Sequence, residues 1–456
     1  MKTDWLVKDK KFYQRLFALA LPLAGQNILV YAVGLTDNIM VGSVSDLALS
    51  GVYVANQWMT LLQKFIQGFC TAALVLAAQY WGRKDTDSIK TITAMTARFA
   101  GVVALGFFAA AFFFPNQLLS LYTNEQEVIR EGTGYLRIVC FSYLFYVVTE
   151  VVLTSMKCVE TVGIALYTSV ITVLLNIFFN WVFIFGKLGV PAMGVAGAAV
   201  STLLCRIVES CVVIVFAAKK DTKLRMKFGD LKRHSGVLMK DYIKYGLPIF
   251  AGSAVWGLNM TGQAAILGRL SQSAISAVSI ANNLFNLISV GVYGVASATG
   301  IIIGKTVGSG DYELVKKYAK TLQLVFVAMG LGTAVFMYLS RYLVPALYPT
   351  INGETTVIVN QLISVLTVMV VGTSYQMSSL TGIVRAGGQT NFVFINDTIF
   401  VCCVLIPSGL LAAFVFDAPA WVVFACLKCD QLLKCIVAAV KVNRFNWIKN
   451  ITRASM

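Results

Sequence analysis

The sequence predicts an all-α integral membrane protein: twelve transmembrane helices in two six-helix lobes, related by a pseudo-two-fold axis along the membrane normal. Three observations predict it: the composition, the alternation of apolar runs with basic gaps, and an internal repeat. Of 456 residues 58% are apolar, 36 more are glycine, and 13% are charged. Soluble domains hold roughly 45–50% apolar residues with glycine included and about 25% charged. Too few polar groups remain to cover a water-facing surface, which excludes an ordinary soluble enzyme or DNA-binding protein.

Stretches long enough to cross a bilayer, about 20 mostly apolar residues, fall at 14–41, 51–80, 93–115, 134–156, 164–186, 194–218, 244–268, 279–304, 318–339, 357–383, 392–414 and 419–441. Ala18-Leu19-Ala20 imitates a signal-peptide cleavage site, but apolar sequence continues to Val41, so this segment is expected to stay as the first span. The net charge of +16 sits in alternate gaps. The N-terminus (Lys2, Lys8, Lys10, Lys11, Arg15), the second gap (Arg83, Lys84, Lys90), the sixth (Lys219 to Lys240), the eighth (Lys305, Lys316, Lys317) and the C-terminus (Lys441, Arg444, Lys449, Arg453) are basic. The intervening gaps are poor in Lys and Arg or acidic, as at Glu125, Glu127 and Glu131. The positive-inside rule then places both termini and the middle linker in the cytoplasm, with the protein multi-pass in a bacterial-type plasma membrane. The charge reflects topology, and no nucleic-acid partner is expected.

Shifting the chain by 226 residues aligns 21–85 with 247–311 without a gap, with 14 identities in 65 positions against roughly 5 expected for this composition. Pro22/Pro248, Ser45/Ser271, Asn56/Asn282, Gly42/Gly268, Gly82/Gly308 and Asp85/Asp311 are among them. The chain therefore reads as an N-lobe (1–218, spans 1–6), a basic cytoplasmic linker (219–243), a C-lobe (244–441, spans 7–12) and a cytoplasmic tail (442–456). An even number of spans per copy gives both the same orientation, and the cleft between two such lobes is the default substrate site. On span 2, Asn56, Thr60, Gln63 and Gln67 share one helix face, and Asn282, Asn286, Ser289 and Tyr293 hold the aligned positions of span 8. A polar stripe in lipid is costly and must face protein or water. It can serve hydrogen bonding within a lobe or line the cavity; recurrence in both copies favours the cavity.

Asp37, in the outer third of span 1, aligns with the neutral Gln263, which is assigned to the cleft. A carboxylate at that depth can alternate between protonated and charged forms or coordinate Na⁺, so Asp37 is the candidate coupling group; the competing role is a structural hydrogen bond near the outer interface. Lys64, Glu150, Arg206 and Glu209 each fall roughly 20–25 Å from the outer face and are expected to form a charge-neutral ion-pair network. Asp397 and Lys434 are expected to pair between spans 11 and 12, while Lys428 and Asp430 lie deeper. The ten cysteines read as small buried apolar residues despite the C-x-x-C at Cys426 and Cys429, and His234, the single histidine, as a solvated linker residue.

The segments T-D-N-I-M-V-G (36–42), A-A-Q-Y-W-G-R-K-D (77–85), N-I-F-F-N-W-V-F-I-F-G (176–186), G-V-A-G-A-A-V-S-T (194–202) and R-A-G-G-Q-T-N (385–391) together resemble the multidrug and toxic compound extrusion (MATE) family over essentially the whole chain. The resemblance implies alternating-access export of drug-like, often cationic compounds in exchange for H⁺ or Na⁺. It matches Asp37 to the family's acidic residue of span 1, and Asn176, Asn180 and Thr202 to the polar positions gathered around it. Some members carry an acid where this chain has Asn180, so the choice between H⁺ and Na⁺ stays open. A C-lobe Na⁺ site would need an acid on span 7, where only Asn259 and Gln263 stand, and is not expected.

No ATP-binding or hydrolase motif occurs in the sequence, so an enzyme is not expected, and no cofactor beyond the coupling ion. The expected partners are organic cations or drugs and the lipid bilayer, with the protein a monomer. The alternative is a lipid-linked oligosaccharide flippase of the related superfamily, which would need a more cationic cleft for pyrophosphate.

Overall fold

The repeated residues do local work before any tertiary contact forms. Ser45 Oγ accepts from the Ala48 N–H (3.0 Å) and its counterpart Ser271 Oγ from the Ala274 N–H (3.2 Å), so each copy's second span begins on the same side-chain cap. Asp85 accepts from Ser88 N–H (3.0 Å) and Asp311 from Leu314 N–H (3.1 Å), starting the third span of each copy in the same way. Pro22 and Pro248 lie inside the first helix of each copy, where each removes one backbone donor.

The structure, a computed structural model, describes residues 6–267, 271–347 and 353–453; Lys2 and Gly268 lie outside them, as do residues 454–456 of the expected tail. Among the described residues the chain is helical without strands. The spans are Lys10–Gly42, Asp46–Gly82, Thr86–Phe113, Gln126–Val139 continuing as Ser142–Cys158, Gly163–Phe185 and Gly194–Val215 in the first half. The second half supplies Gly236–Leu267, Gln272–Ile288 with Val290–Gly308, Tyr312–Leu339, Gly353–Met377, the run opened by Thr390–Ile399, and Ala420–Cys426 with Asp430–Asn443. Nine of the described helices are long and apolar enough to cross a membrane, ten when the bent fourth pair counts as one. Large apolar side chains such as Val102 (70%), Phe336 (68%) and Ile436 (67%) lie on the outer surface, which suits a lipid solvent.

Five spans differ from simple rods. The fourth starts at Gln126, eight residues before its apolar run, and bends by 53° at Cys140–Phe141. Its first half is amphipathic, burying Val128, Ile129 and Leu136 while Glu127 and Glu131 stay outside the apolar face, so no apolar run announces it. The eighth breaks at Ser289 and the twelfth at Leu427–Cys429. Wider, π-helical turns interrupt the tenth and eleventh at Ser378–Val384, Phe400–Leu405 and Leu411–Val415.

Two compact units emerge, and they do not follow the chain midpoint. One comprises 25–77 and 85–246, the other residues up to 24, 78–84 and from 247 onward. The first is built around Leu62, Ile66, Ala100, Ala104, Leu136 and Tyr143, and contains the whole 219–243 linker. In the second, Leu362, Ile363, Phe424 and Leu427 form the core. Phe12 stacks on Tyr318 at 4.4 Å, which recruits the start of span 1. The end of span 2 joins it at two repeat-related glycines: a Cβ on Gly82 would run into the Lys305 carbonyl, and one on Gly308 into that of Gln79. The tail folds back onto the same unit. Trp447 is fully buried against Gly387, Lys449 N–H donates to Gly387 O (2.8 Å), and the Gln79 amide bridges Ala386 O and Ile451 N–H at 2.9 Å each.

Candidate functional site

The polar centre of the first unit starts with the spacing of Asn176 and Asn180, one helical turn apart on a single face of span 5. Both are buried, at 2% and 0% exposure. They reach Asp37 on span 1, whose Oδ1 accepts from Asn176 Nδ2 at 2.9 Å and from Asn180 Nδ2 at 2.7 Å. Asn180 Nδ2 also lies 3.3 Å from Asn176 Oδ1. Both amide donors converge on one carboxylate oxygen, and the buried Asn180 Oδ1 has no hydrogen-bond partner. The site thus combines two donors with two oxygens, Asp37 Oδ2 and Asn180 Oδ1, that carry no hydrogen bond from the described residues.

Span 5 is held by glycine against span 6. Gly186 ends it at φ +66, and a Cβ on Gly197 would run into the Phe183 carbonyl, which also accepts from Met193 N–H (2.9 Å). Thr202, expected beside Asp37, is half-buried on span 6, and Tyr135 of span 4 donates its hydroxyl to Asn56 Oδ1 at 3.3 Å. Tyr135 was not singled out from the sequence. Its position at the outer end of predicted span 134–156, at a depth similar to that of Asp37, was the available signal.

Of the span 2 stripe, Asn56 and Gln63 are half-buried and Thr60 and Gln67 exposed. In the second unit, Asn282, Asn286 and Tyr293 are half-buried, but the break at Ser289 divides their stripe between two helices. Gln263 is buried and donates to Asn259 Oδ1 at 3.1 Å, so its amide is engaged along its own helix.

The charged groups sort by unit. In the first, Arg206 Nη1 pairs with Glu209 Oε2 at 2.7 Å, and the guanidinium carbon Cζ sits 5.2 Å from the centre of the Tyr146 ring. Glu150 is half-buried on span 4, and Lys64 is exposed along span 2. In the second, Lys434 Nζ lies 2.9 Å from Asp397 and 3.1 Å from Asp430, with Lys434 and Asp430 nearly closed off from solvent. Asp430 is thus a second carboxylate on Lys434, one that apolar depth alone did not pair with it. Lys428 sits 5.6 Å from the centre of the Phe424 ring.

An all-helical fold of many bilayer-length apolar helices, with buried carboxylate, amide and ion-pair centres, defines a multi-pass membrane protein of the transporter type. The MatE family model matches residues 22–182 and 248–410, once in each repeat. The chain belongs to the MatE family, the multidrug and toxic compound extrusion transporters. It is 24% identical over 307 residues to the probable multidrug resistance protein NorM of Agrobacterium fabrum, 66% of this chain and 65% of that relative's length. Against the multidrug resistance protein NorM of Vibrio vulnificus identity is 23% over 423 residues, 91% and 90% of the two chains. Two solved structures share the fold. A MOP superfamily transporter from Pyrococcus furiosus superposes with TM-score 0.84 at 17% identity, covering 95% and 96% of the chains, and a eukaryotic MATE transporter with 0.82 at 16%, covering 96% and 97%.

Proposed function

We propose that this protein is a multidrug efflux transporter that exports amphipathic, often cationic organic compounds in exchange for H⁺ or Na⁺ by alternating access. It works as a carrier, not an enzyme, with both termini and the linker on the cytoplasmic side of a bacterial-type plasma membrane. The observation that carries the reading is the seat of Asp37: a span 1 carboxylate with two amide donors on one oxygen, in a chain of the MatE family.

Asp37 is the coupling group. Asn176 and Asn180 orient the carboxylate and stabilise its charged form by donating to it. Its second oxygen takes the proton, or joins Asn180 Oδ1 in offering hard oxygen ligands to Na⁺. Tyr135, whose hydroxyl donates to Asn56, ties span 4 to the span 2 stripe. Protonation or cation binding alters how Asp37 holds span 5 and so couples the ion to the stripe. The amides and hydroxyls of Asn56, Thr60, Gln63 and Gln67, with Asn282, Asn286 and Tyr293 of the second unit, are the polar contacts offered to substrate.

Proteoliposomes loaded with a fluorescent lipophilic cation and given an imposed pH or Na⁺ gradient test the reading. Dye movement driven by one gradient and absent without it is expected, and identifies the ion. Dye that ignores both gradients, together with gradient-independent movement of a lipid-linked pyrophosphate, would replace this reading by the flippase.

A further inference from the structure

Between Phe216 and Tyr245 the chain carries nine Lys and Arg residues, three Asp and no Glu. Folding sorts these charges by sign. All three carboxylates turn inward: Asp221, Asp230 and Asp241 are 7%, 7% and 6% exposed. Asp221 accepts the N–H groups of Lys223, Leu224 and Arg225 (3.2, 2.8 and 3.0 Å), and Asp230 accepts from Lys227 N–H (2.9 Å) and Arg233 Nε (2.7 Å). Eight of the nine cations remain exposed; Arg233 alone is drawn in, bridging Asp230 and Asp87.

The segment is fastened to its own unit. Arg98 Nη2 donates to Leu231 O and Arg233 O at 2.8 and 2.9 Å, and Lys223 Nζ to Val159 O and Glu160 O at 2.7 and 3.0 Å. The cations are thereby held in place on an ordered surface. Lys219 and Lys220 occupy the turn that continues Gly194–Val215, and Lys240 and Lys244 the first turns of Gly236–Leu267. Lys219 and Lys220 thus end a helix of bilayer length and apolar composition, while Lys240 and Lys244 open the first helix of the second repeat. Leu231 (41%) and Ile243 (50%) are exposed beside them.

We propose that this linker face is a binding surface for the phosphate headgroups of anionic phospholipids in the adjoining leaflet. Cations at two helix ends suit headgroup phosphates, and the interspersed Leu231 and Ile243 suit the acyl boundary below them; a nucleic acid would use neither feature. Juxtamembrane Lys and Arg clusters attract anionic leaflets with an effect that grows with each added charge. The assignment of this leaflet as cytoplasmic rests on the proposed topology, but the binding itself does not.

The test uses the full-length protein, with retained lipid counted by native mass spectrometry after mixing with phosphatidylglycerol or phosphatidylcholine. Wild type is expected to retain phosphatidylglycerol about tenfold over phosphatidylcholine. The preference should vanish in K219Q/K220Q/R225Q/K227Q and persist in K219R/K220R/K227R, which keeps the charge and guards against misfolding as the cause. Equal retention of the two lipids by wild type, undiminished preference in the Gln variant, or equal stabilisation by free glycerol phosphate would overturn the proposal. Trypsin cleavage of the linker in inside-out and right-side-out vesicles reports sidedness separately: cleavage from outside would refute the topology while leaving lipid retention to be judged by its own readout.

Discussion

Asp37 receives both span 5 amides on the same oxygen, so removing either donor weakens the seat without abolishing it. Asn180→Leu is expected to lower apparent affinity for the coupling ion roughly tenfold in flux titrations, as loss of an orienting partner does at ion sites; unchanged affinity would remove Asn180 from the site. The Lys434 triad is different, because its cation sits between two carboxylates and is nearly closed off from solvent. Lys434→Met leaves Asp397 and Asp430 without their counter-charge and should destabilise the protein by about 3–5 kcal/mol in detergent unfolding. In the linker, burial pushes the Asp230 carboxyl up, but the Lys227 N–H, the Arg233 guanidinium and Lys90 outweigh it and hold the group below the usual carboxylate range. A carboxyl lowered on folding stabilises fully above its unfolded value and loses that contribution as pH falls through its folded value. The protection of amides 227–233 against hydrogen exchange, taken relative to the intrinsic rate at each pH, should therefore fall as pH drops below about 4. In Asp230→Asn that protection should already be low at neutral pH; a wild-type profile with no such fall would contradict the role given to Asp230.

At the scale of elements, the approach of spans 5 and 6 depends on Gly197, whose missing side chain lets the Phe183 carbonyl come close. Gly197→Val is expected to cost about 1–3 kcal/mol by overpacking and to weaken ion-dependent flux by shifting Asn176 and Asn180 away from Asp37. Stability loss with unaltered ion dependence would show that the coupling site does not rely on this packing. The helices themselves were legible because lipid demands long apolar runs, and the repeat marked caps such as Asp85 and Asp311 that the structure uses identically. What apolar runs conceal is where a helix is amphipathic or interrupted. Gln126–Val139 carries its apolar residues on one face only, and the breaks at Ser289 and Leu427–Cys429 lie within stretches whose composition changes little. The partner of Asn56 was hidden for a related reason: Tyr135 reaches it from that amphipathic half-helix.

At the scale of the whole molecule, the repeat divides the sequence near the linker, whereas packing assigns the start of span 1 and the end of span 2 to the unit of the second half. Glycine contacts cause this exchange at Gly82 and Gly308, and the buried Trp447 secures the tail there. Sequence periodicity records ancestry and membrane crossing; it does not record which helix ends a later segment covers. The proposed function turns on exchange of the ion at Asp37. Its most direct test is efflux of a fluorescent lipophilic cation from proteoliposomes under the driving gradient, comparing wild type with Asp37→Asn, an isosteric change that keeps the helix and removes the titratable, charge-bearing oxygen. At least a tenfold loss of gradient-driven efflux is expected, with substrate binding and thermal stability close to wild type. Gradient-driven efflux equal to wild type in Asp37→Asn would contradict it.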